Sequence, residues 1–209
     1  MQTYNYKIEN FIRPYIKDLK NFSILEFGVK EGRSTKIFLD LCRINSGKVF
    51  SIDIDDYSKI FDDENWTFIQ SRDDNFKYLE EKLPNKFDVI YLDSLHEAEH
   101  VKKIFYYYFN KLKVGGLFFI DDISWLPYLK NSQRDSFYCE INNKETFEKL
   151  LDIYNTNFDK FDITFDFASS GLCRICKKNE GLIITNKISS RSLSFKNLVR
   201  KIYKFFKKK

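Results

Sequence analysis

Short apolar runs alternate with helical patterns along most of the chain. Several of the runs end in glycine or an acidic residue. Between them, apolar residues recur at spacings of three and four, the pattern of an amphipathic helix. Strands separated by helices indicate a parallel sheet with helices packed on both faces. The pattern predicts strands at 23–28, 48–53, 66–70, 87–93 and 117–121, with helices over 32–42, 76–83 and 96–113.

The C-terminal part of the pattern predicts a hairpin. A helix is predicted over 146–161, and two strand-like runs, 163–167 and 172–177, flank a Ser-Ser-Gly turn. The expected fold is a Rossmann-like, doubly wound α/β sheet, mostly parallel, of about seven strands with a terminal antiparallel hairpin. Gly115-Gly116 should end the helix before the fifth strand, and the polar stretch Asn131–Lys144 should be an irregular insertion over the sheet's carboxyl edge.

The chain divides into three segments. Residues 1–22 form a helical lead-in interrupted at Pro14, residues 23–186 hold all the predicted strands, and residues 187–209 form a basic tail. A length of 209 residues suits one α/β domain with a sizeable core.

The positive charge is concentrated in the tail. The net charge is +5, but Arg191–Lys209 holds eight Lys or Arg residues and no acid, which leaves 27 basic and 30 acidic residues elsewhere. The body is slightly acidic, so no nucleic-acid partner is expected. Apolar residues in the tail recur at helical spacing among the basic ones. Such a helix suits an anionic membrane surface, a protein partner or solvent.

The cysteines do not favour a metal or redox site. Cys173 and Cys176 form a lone CxxC pair in a predicted strand, where an offset of three places the side chains on opposite faces. No signal peptide and no apolar run of membrane-spanning length is apparent. The expected location is the cytoplasm, with attachment to the inner face of the membrane through the tail as an option.

A glycine-containing turn follows the first predicted strand. Gly28 allows a sharp turn, Gly32 a close approach of a ligand to the backbone, and Ser34 can donate a hydrogen bond. The G-x-G-x-x-G of a dinucleotide site is absent, and the acid Glu26 suits a ligand with a cationic amino or sulfonium group. Asp53, at the end of the second strand, can accept both hydroxyls of a ribose. An ordinary βα turn is the alternative.

Three segments together resemble a known family. Ile24-Leu-Glu-Phe-Gly-Val-Lys-Glu-Gly-Arg-Ser34 resembles motif I of the class I methyltransferases that use S-adenosylmethionine (SAM). Asp88–His96 and Leu112–Asp122 resemble the second half of that domain. Within the family, the chain resembles the macrocin O-methyltransferase type, which acts on sugars and other small molecules. The resemblance covers residues 24–177 and implies a seven-stranded sheet. It also implies cofactor contacts: Glu26, Gly28 and Gly32 around the methionine part of SAM, and Asp53 at the ribose.

Two positions depart from the pattern of that family. Ser71-Arg72 stands where the family often has Gly-Asp near the adenine, so the following Asp73 becomes the candidate contact. Ser94-Leu95 stands where a glycine usually follows the acid of the fourth strand, here Asp93. Asp93 is a candidate for both cofactor binding and catalysis.

Four polar side chains should meet where the fourth and fifth strands end: Asp93, His96, Asp121 and Asp122. Clustered carboxylates repel one another unless a cation or proton intervenes, and hard oxygen ligands favour Mg²⁺. An ion held by Asp93, Asp121 and Asp122 would lower the pKa of an acceptor hydroxyl, and His96 would take its proton. Alternatively, the two later acids cap the next segment and His96 only begins a helix.

The acceptor is predicted only as a class. A small molecule is expected, including a glycan or a lipid-linked sugar, with Trp125, Tyr128 and the stretch Asn131–Lys144 as candidate contacts. A homo-oligomer is left open. Two other classes of protein stay as alternatives: a different nucleotide-dependent enzyme, such as a reductase, and a non-catalytic binding domain. The missing G-x-G-x-x-G argues against the reductase.

Overall fold

Seven strands and seven helices are present in the described part of the chain. The computed structural model describes residues 4–124, 137–181, 183–184 and 195–206. The strands are β1 (Ser23–Phe27), β2 (Lys48–Asp53), β3 (Trp66–Gln70), β4 (Phe87–Leu92), β5 (Leu112–Asp121), β6 (Phe161–Asp166) and β7 (Leu172–Lys177). The helices are α1 (Tyr4–Phe11), α2 (Arg13–Ile16), α3 (Arg33–Asn45), α4 (Phe76–Glu80), α5 (Ala98–Phe109), α6 (Phe137–Asn157) and α7 (Phe195–Phe206).

The strands form one sheet in the order β3-β2-β1-β4-β5-β7-β6. β1 to β5 pair with one another in parallel, whereas β7 is antiparallel to both β5 and β6. The prediction of a mostly parallel sheet with a terminal antiparallel hairpin is confirmed. β1 pairs with β2 on one side and β4 on the other, so the strand order reverses there. Ligands of doubly wound sheets bind beyond the carboxyl ends of the strands at such a point.

Successive residues of the central strands face two separate cores, because side chains alternate across a strand. Leu25 and Leu92 lie in the core that includes residues of α4, α5 and α6. Ile24 and Tyr91 lie in the opposite core, together with residues of α1, α2 and α3. Ile8 of α1, Ile16 of α2 and Ile12 between them are fully buried there. The predicted lead-in is therefore packed against the sheet.

Gly115-Gly116 does not end a helix, contrary to the prediction. α5 ends at Phe109, and the two glycines lie inside the ten-residue strand β5. Gly115 has a φ of +81°, and a Cβ on Gly116 would lie 2.9 Å from the carbonyl oxygen of Asp88. The register between β4 and β5 shifts at this place. The two glycines thus allow an irregularity in the pairing of β4 and β5. The local sequence alone does not distinguish such a position from the C-terminus of a helix.

The polar stretch Asn131–Lys144 is not irregular throughout, since α6 begins at Phe137 and ends at Asn157. Asn143 is buried and its side-chain amide donates to the carbonyl oxygen of Ser124, 3.0 Å away. A buried polar residue in a helix interrupts the amphipathic pattern, although a tertiary contact satisfies its side chain. The helix was therefore predicted to start at residue 146 instead of 137. The candidate acceptor contacts at residues 125, 128 and 131–136 lie outside the described residues.

Candidate cofactor and acceptor site

A cleft of about 790 Å³ opens at the carboxyl ends of the parallel strands. This volume is within the range of small-molecule sites, roughly 300–1,000 Å³. Eight of the predicted site residues line it: Gly28, Ser34, Asp53, Asp73, Asp93, His96, Asp121 and Asp122. Two predicted cofactor residues, Glu26 and Gly32, are not among the lining residues.

Gly28 is required where β1 meets the end of β4. Its φ is +92°, and a Cβ there would lie 2.1 Å from the carbonyl oxygen of Asp93. The Asp93 amide donates to the carbonyl of Phe27, and the Gly28 amide donates to that of Ile52, both at 2.9 Å. The three central strands therefore end in contact at Gly28, and only a glycine fits between them.

Glu26 lies beneath the cleft and is fully buried. Its carboxylate accepts hydrogen bonds from the hydroxyls of Ser34, Thr35 and Ser51, at 2.5, 2.7 and 2.6 Å. Burial raises the pKa of Glu26, while the three hydroxyls counteract that effect. In this arrangement Glu26 can reach a ligand only through Ser34, which does line the cleft.

Gly32 directly precedes α3, and its lack of a side chain allows close packing. Its φ is +68°, and a Cβ would lie 2.6 Å from the ring of Phe61. The ring of Phe61 therefore packs directly against Gly32, and the cofactor contact of Gly32 stays a prediction.

Asp53 holds the loop between β1 and α3. Its Oδ2 accepts from the amides of Val29 and Lys30, at 2.7 and 3.3 Å, and its Oδ1 accepts from the amide of Asp55, at 3.1 Å. Each carboxylate oxygen has two lone pairs, so Asp53 keeps acceptor capacity for a ligand. Its place in the cleft agrees with the predicted ribose contact, which stays a prediction.

Asp73 belongs to a small polar group that the sequence did not indicate. Its Oδ2 lies 2.6 Å from the Ser94 hydroxyl oxygen and 2.9 Å from His100 Nε2. All three residues line the cleft. His100 is within α5, where the helical pattern alone gives no sign that one polar side chain points toward β3 and β4. The adenine role of Asp73 is untested.

His96 stands between two carboxylates at the other end of the cleft. Its Nε2 lies 3.5 Å from Asp93 Oδ1 and 3.4 Å from Asp122 Oδ2. Asp122 has a φ of +57°, a left-handed conformation that is strained for a residue with a side chain. Burial and the neighbouring Asp121 raise the pKa of Asp122. Three of the four residues that were predicted to meet, His96, Asp93 and Asp122, are therefore side by side.

The carboxylate of Asp121 is buried and is paired with a residue of α1. Its Oδ1 forms a buried ion pair with Lys7 and accepts from the Asp122 amide at 2.7 Å. Its Oδ2 accepts from the Tyr91 hydroxyl at 2.8 Å, and that hydroxyl lies 3.2 Å from Asp93 Oδ2. In the sequence, the only sign of this contact is that Tyr91 carries a hydroxyl within an otherwise largely apolar strand. Nothing in the sequence indicated Lys7.

The predicted metal site at Asp93, Asp121 and Asp122 does not fit this arrangement. Both oxygens of Asp121 are occupied by partners within the protein, one of them a cation. In the parts of the chain that the structure describes, no three His, Cys, Asp or Glu side chains are grouped so as to hold a metal ion. A lysine from the far end of the chain supplies positive charge where an ion was expected.

The comparisons with known proteins agree with the fold and the cleft. Residues 25–123 match the family model of a methyltransferase domain, which supports the resemblance to the SAM-dependent methyltransferases in this part of the chain. No curated protein sequence matches the chain.

Solved structures with a similar fold include several methyltransferases. MycE methyltransferase from the mycinamycin biosynthetic pathway, in complex with Mg and SAH, is 22% identical over 86% of this chain and 52% of its own, with a TM-score of 0.61. A structure named as a caffeoyl-CoA O-methyltransferase from Staphylococcus aureus is 18% identical over 83% and 82%, with a TM-score of 0.60. One named as a ribosomal RNA methyltransferase from Plasmodium falciparum is 18% identical over 89% and 100%, with a TM-score of 0.55.

These likenesses establish the fold, and the chain spans about half the length of the MycE structure. The same fold is present in proteins named for small-molecule and for RNA acceptors. The fold therefore does not identify the acceptor, whose identity depends on the residues of the site.

Proposed function

We propose that the protein transfers the methyl group of SAM to a hydroxyl of a small molecule, with a sugar as the first candidate. The observation that carries the proposal is a single cleft with Asp53 at its cofactor end and His96, flanked by two carboxylates, at the other. MycE, whose fold is similar, has been crystallised with Mg, SAH and mycinamycin VI, which supports a small-molecule acceptor.

The cofactor end is assigned to residues that line the cleft. Asp53 would accept the ribose hydroxyls, Gly28 and Ser34 would contact the methionine part, and Asp73 would lie at the adenine. Glu26 would act through Ser34, which it holds at 2.5 Å. The body of the chain is slightly acidic, which argues against an RNA acceptor.

The acceptor end is assigned to His96 and its neighbours. SAM supplies an electrophilic methyl group when it is bound. The acceptor oxygen bonds to that methyl as the carbon–sulfur bond breaks, and the hydroxyl proton passes to His96. Asp93 and Asp122 place negative charge beside the ring that receives the proton. Holding acceptor and donor in line contributes to the rate by orientation.

Titration calorimetry with SAM and SAH tests the cofactor assignment. We expect both to bind, whereas NAD and NADP should not. Asp53→Ala should weaken SAM by about 1–3 kcal/mol, the contribution of hydrogen bonds to a charged acceptor. Asp55→Ala is the matched control, because Asp55 also lines the cleft but meets Asp53 only through its backbone. Equal SAM affinity in folded Asp53→Ala would remove Asp53 from the ribose.

Release of SAH with a panel of hydroxylated acceptors tests the reaction itself. Turnover with a sugar or another small alcohol supports the proposal, and turnover with RNA alone contradicts it. SAM binding without turnover on any acceptor would favour the non-catalytic alternative. NADP binding in place of SAM would favour the reductase.

We also propose that the tail, residues 187–209, attaches the protein to an anionic membrane surface, close to lipid-linked acceptors. Six apolar side chains of α7 are exposed: Phe195, Leu198, Val199, Ile202, Tyr203 and Phe206. The tail adds eight basic residues and no acid from Arg191 onward. No helix among the described residues is long and apolar enough to cross a membrane. The form of attachment proposed is a helix lying in the interface.

A further inference from the structure

A lysine is buried next to the acids of the acceptor site. Lys7, in α1, has a side chain that is 1% exposed, and its partner Asp121 is equally buried. Its ammonium also donates to the Ser170 hydroxyl, 2.7 Å away. Lysine is almost never fully buried unless its charge is paired. The ion pair joins residues 114 positions apart and thus ties the N-terminal helix to the end of β5.

The position of this ion pair relates it to the site. Asp121 is linked through the Tyr91 hydroxyl to Asp93 and is followed directly by the strained Asp122. Asp121 thus contacts Asp93 through the Tyr91 hydroxyl and Asp122 through its backbone amide, and Lys7 is the cation paired with Asp121. Lys7 does not line the cleft, so among the described residues its link to the acceptor site runs through Asp121.

We propose that Lys7 is the built-in cation of this site, in the place that a divalent ion would take at Asp121. It pairs with the buried Asp121, and Asp121 in turn accepts hydrogen bonds from the Asp122 amide and the Tyr91 hydroxyl. Lys7 is therefore a positioning residue for Asp93 and Asp122, the two carboxylates that flank His96. The consequence for methyl transfer rests on the proposed function, whereas the consequence for metal binding does not.

The proposal predicts how the cluster responds to Mn²⁺. In the wild type, a Mn²⁺ ion would have to displace an ammonium that is already paired. Lys7→Gln removes the ammonium and leaves the buried Asp121 without its paired cation, so an affinity for Mn²⁺ with Asp121 as a ligand should appear. Lys7→Arg keeps the charge and should behave as the wild type does.

The experiment is a Mn²⁺ titration of the full chain followed by electron paramagnetic resonance. We expect no saturable site in the wild type or Lys7→Arg, and one site in Lys7→Gln that Lys7→Gln/Asp121→Asn loses. Mn²⁺ should also restore methyl transfer in Lys7→Gln, which a purely structural lysine would not allow. Transfer by the wild type should withstand EDTA.

Two results would overturn the proposal. One is a saturable Mn²⁺ site in the wild type that Asp121→Asn abolishes, and the other is a folded Lys7→Gln with no gain of Mn²⁺ binding. If circular dichroism shows that Lys7→Gln is unfolded, the comparison of the wild type with Asp121→Asn still decides. SAM binding, measured by calorimetry in the same proteins, tests the proposed function separately.

Discussion

At the scale of single residues, two acids predicted from the sequence to bind the cofactor have different roles in the structure. Glu26 is fully buried and is satisfied by three hydroxyls, whereas Asp53 lines the cleft and holds loop amides. The difference follows from the strand geometry, because Glu26 points toward α3 while Asp53 stands at the strand end. Glu26, within a strand, thus supports the site by holding buried hydroxyls beneath the cleft. Asp53, at the end of a strand, is accessible to a ligand in the cleft.

The buried carboxyl of Glu26 makes stability depend on pH. Burial raises its pKa above the ordinary value of 4.5 in the folded state, so the folded protein holds the proton to higher pH than the unfolded chain does. The stability that Glu26 contributes is therefore fully present below pH 4.5 and falls as pH rises toward its folded pKa.

Glu26→Gln supplies the pH-independent reference for this effect. The free energy of unfolding of the wild type, relative to the variant, should decline as pH rises above 4.5 and then level off. Urea titrations across that range measure it, with the exposed Glu81→Gln as control for the loss of one charge. A constant difference between wild type and Glu26→Gln would contradict the raised pKa.

At the scale of elements, a side chain at the end of β7 donates hydrogen bonds to backbone carbonyls at and just after the end of α5. Lys177 is buried, and its ammonium donates to the carbonyl oxygens of Phe109 and Leu112 at 3.0 and 2.8 Å and to Glu180 at 2.7 Å. The last carbonyls of a helix have no partner within the helix. A lysine from the hairpin thus satisfies the turn that joins α5 to β5.

Lys177→Met keeps the apolar stem but removes these hydrogen bonds. We expect the free energy of unfolding to fall by about 1–3 kcal/mol, because buried carbonyls lose their donor. The neighbouring Lys178→Met is the matched control, since Lys178 is exposed and should change stability by no more than about 0.5 kcal/mol. Equal, small losses in both variants would mean that the carbonyls are satisfied in another way.

At the scale of the whole molecule, all seven strands of the sheet lie within residues 23–177, and the tail lies beyond them. The fold and the tail should therefore be separable. α7 presents apolar side chains to solvent, whereas most apolar residues of α3 and α5 are buried in the two cores.

Deletion of residues 191–209 should leave SAM binding unchanged and reduce sedimentation with vesicles that contain phosphatidylserine. Each basic residue near such a surface contributes about 1 kcal/mol, and salt screens that contribution. Binding of the full chain should therefore fall steeply with ionic strength, and phosphatidylcholine vesicles serve as the uncharged control. If full-length and truncated protein both stay in the supernatant at low salt, the tail does not bind membranes.

The sequence by itself determined the kind of each central element and the edge of the sheet at which the site lies. Apolar runs and helical spacing are local signals, and they predicted β2, β3 and β7 with their observed ends. Gly28, Asp53 and His96 could be placed in one cleft because parallel strands bring their carboxyl ends to the same edge. The predicted cluster at β4 and β5 follows from that same rule.

Only the tertiary structure decided how the charges of the site are balanced. Lys7 and Asp121 are 114 residues apart, and a single contact between distant residues leaves no periodic trace in a sequence. The burial of Glu26 and the early start of α6 depend likewise on partners from other elements. Gly115-Gly116 had the local features of a helix C-terminus, but the pairing of β5 with β4 assigned it to a strand. Where local and tertiary requirements conflicted, pairing and burial prevailed, because each buried polar group must find a partner in the folded chain.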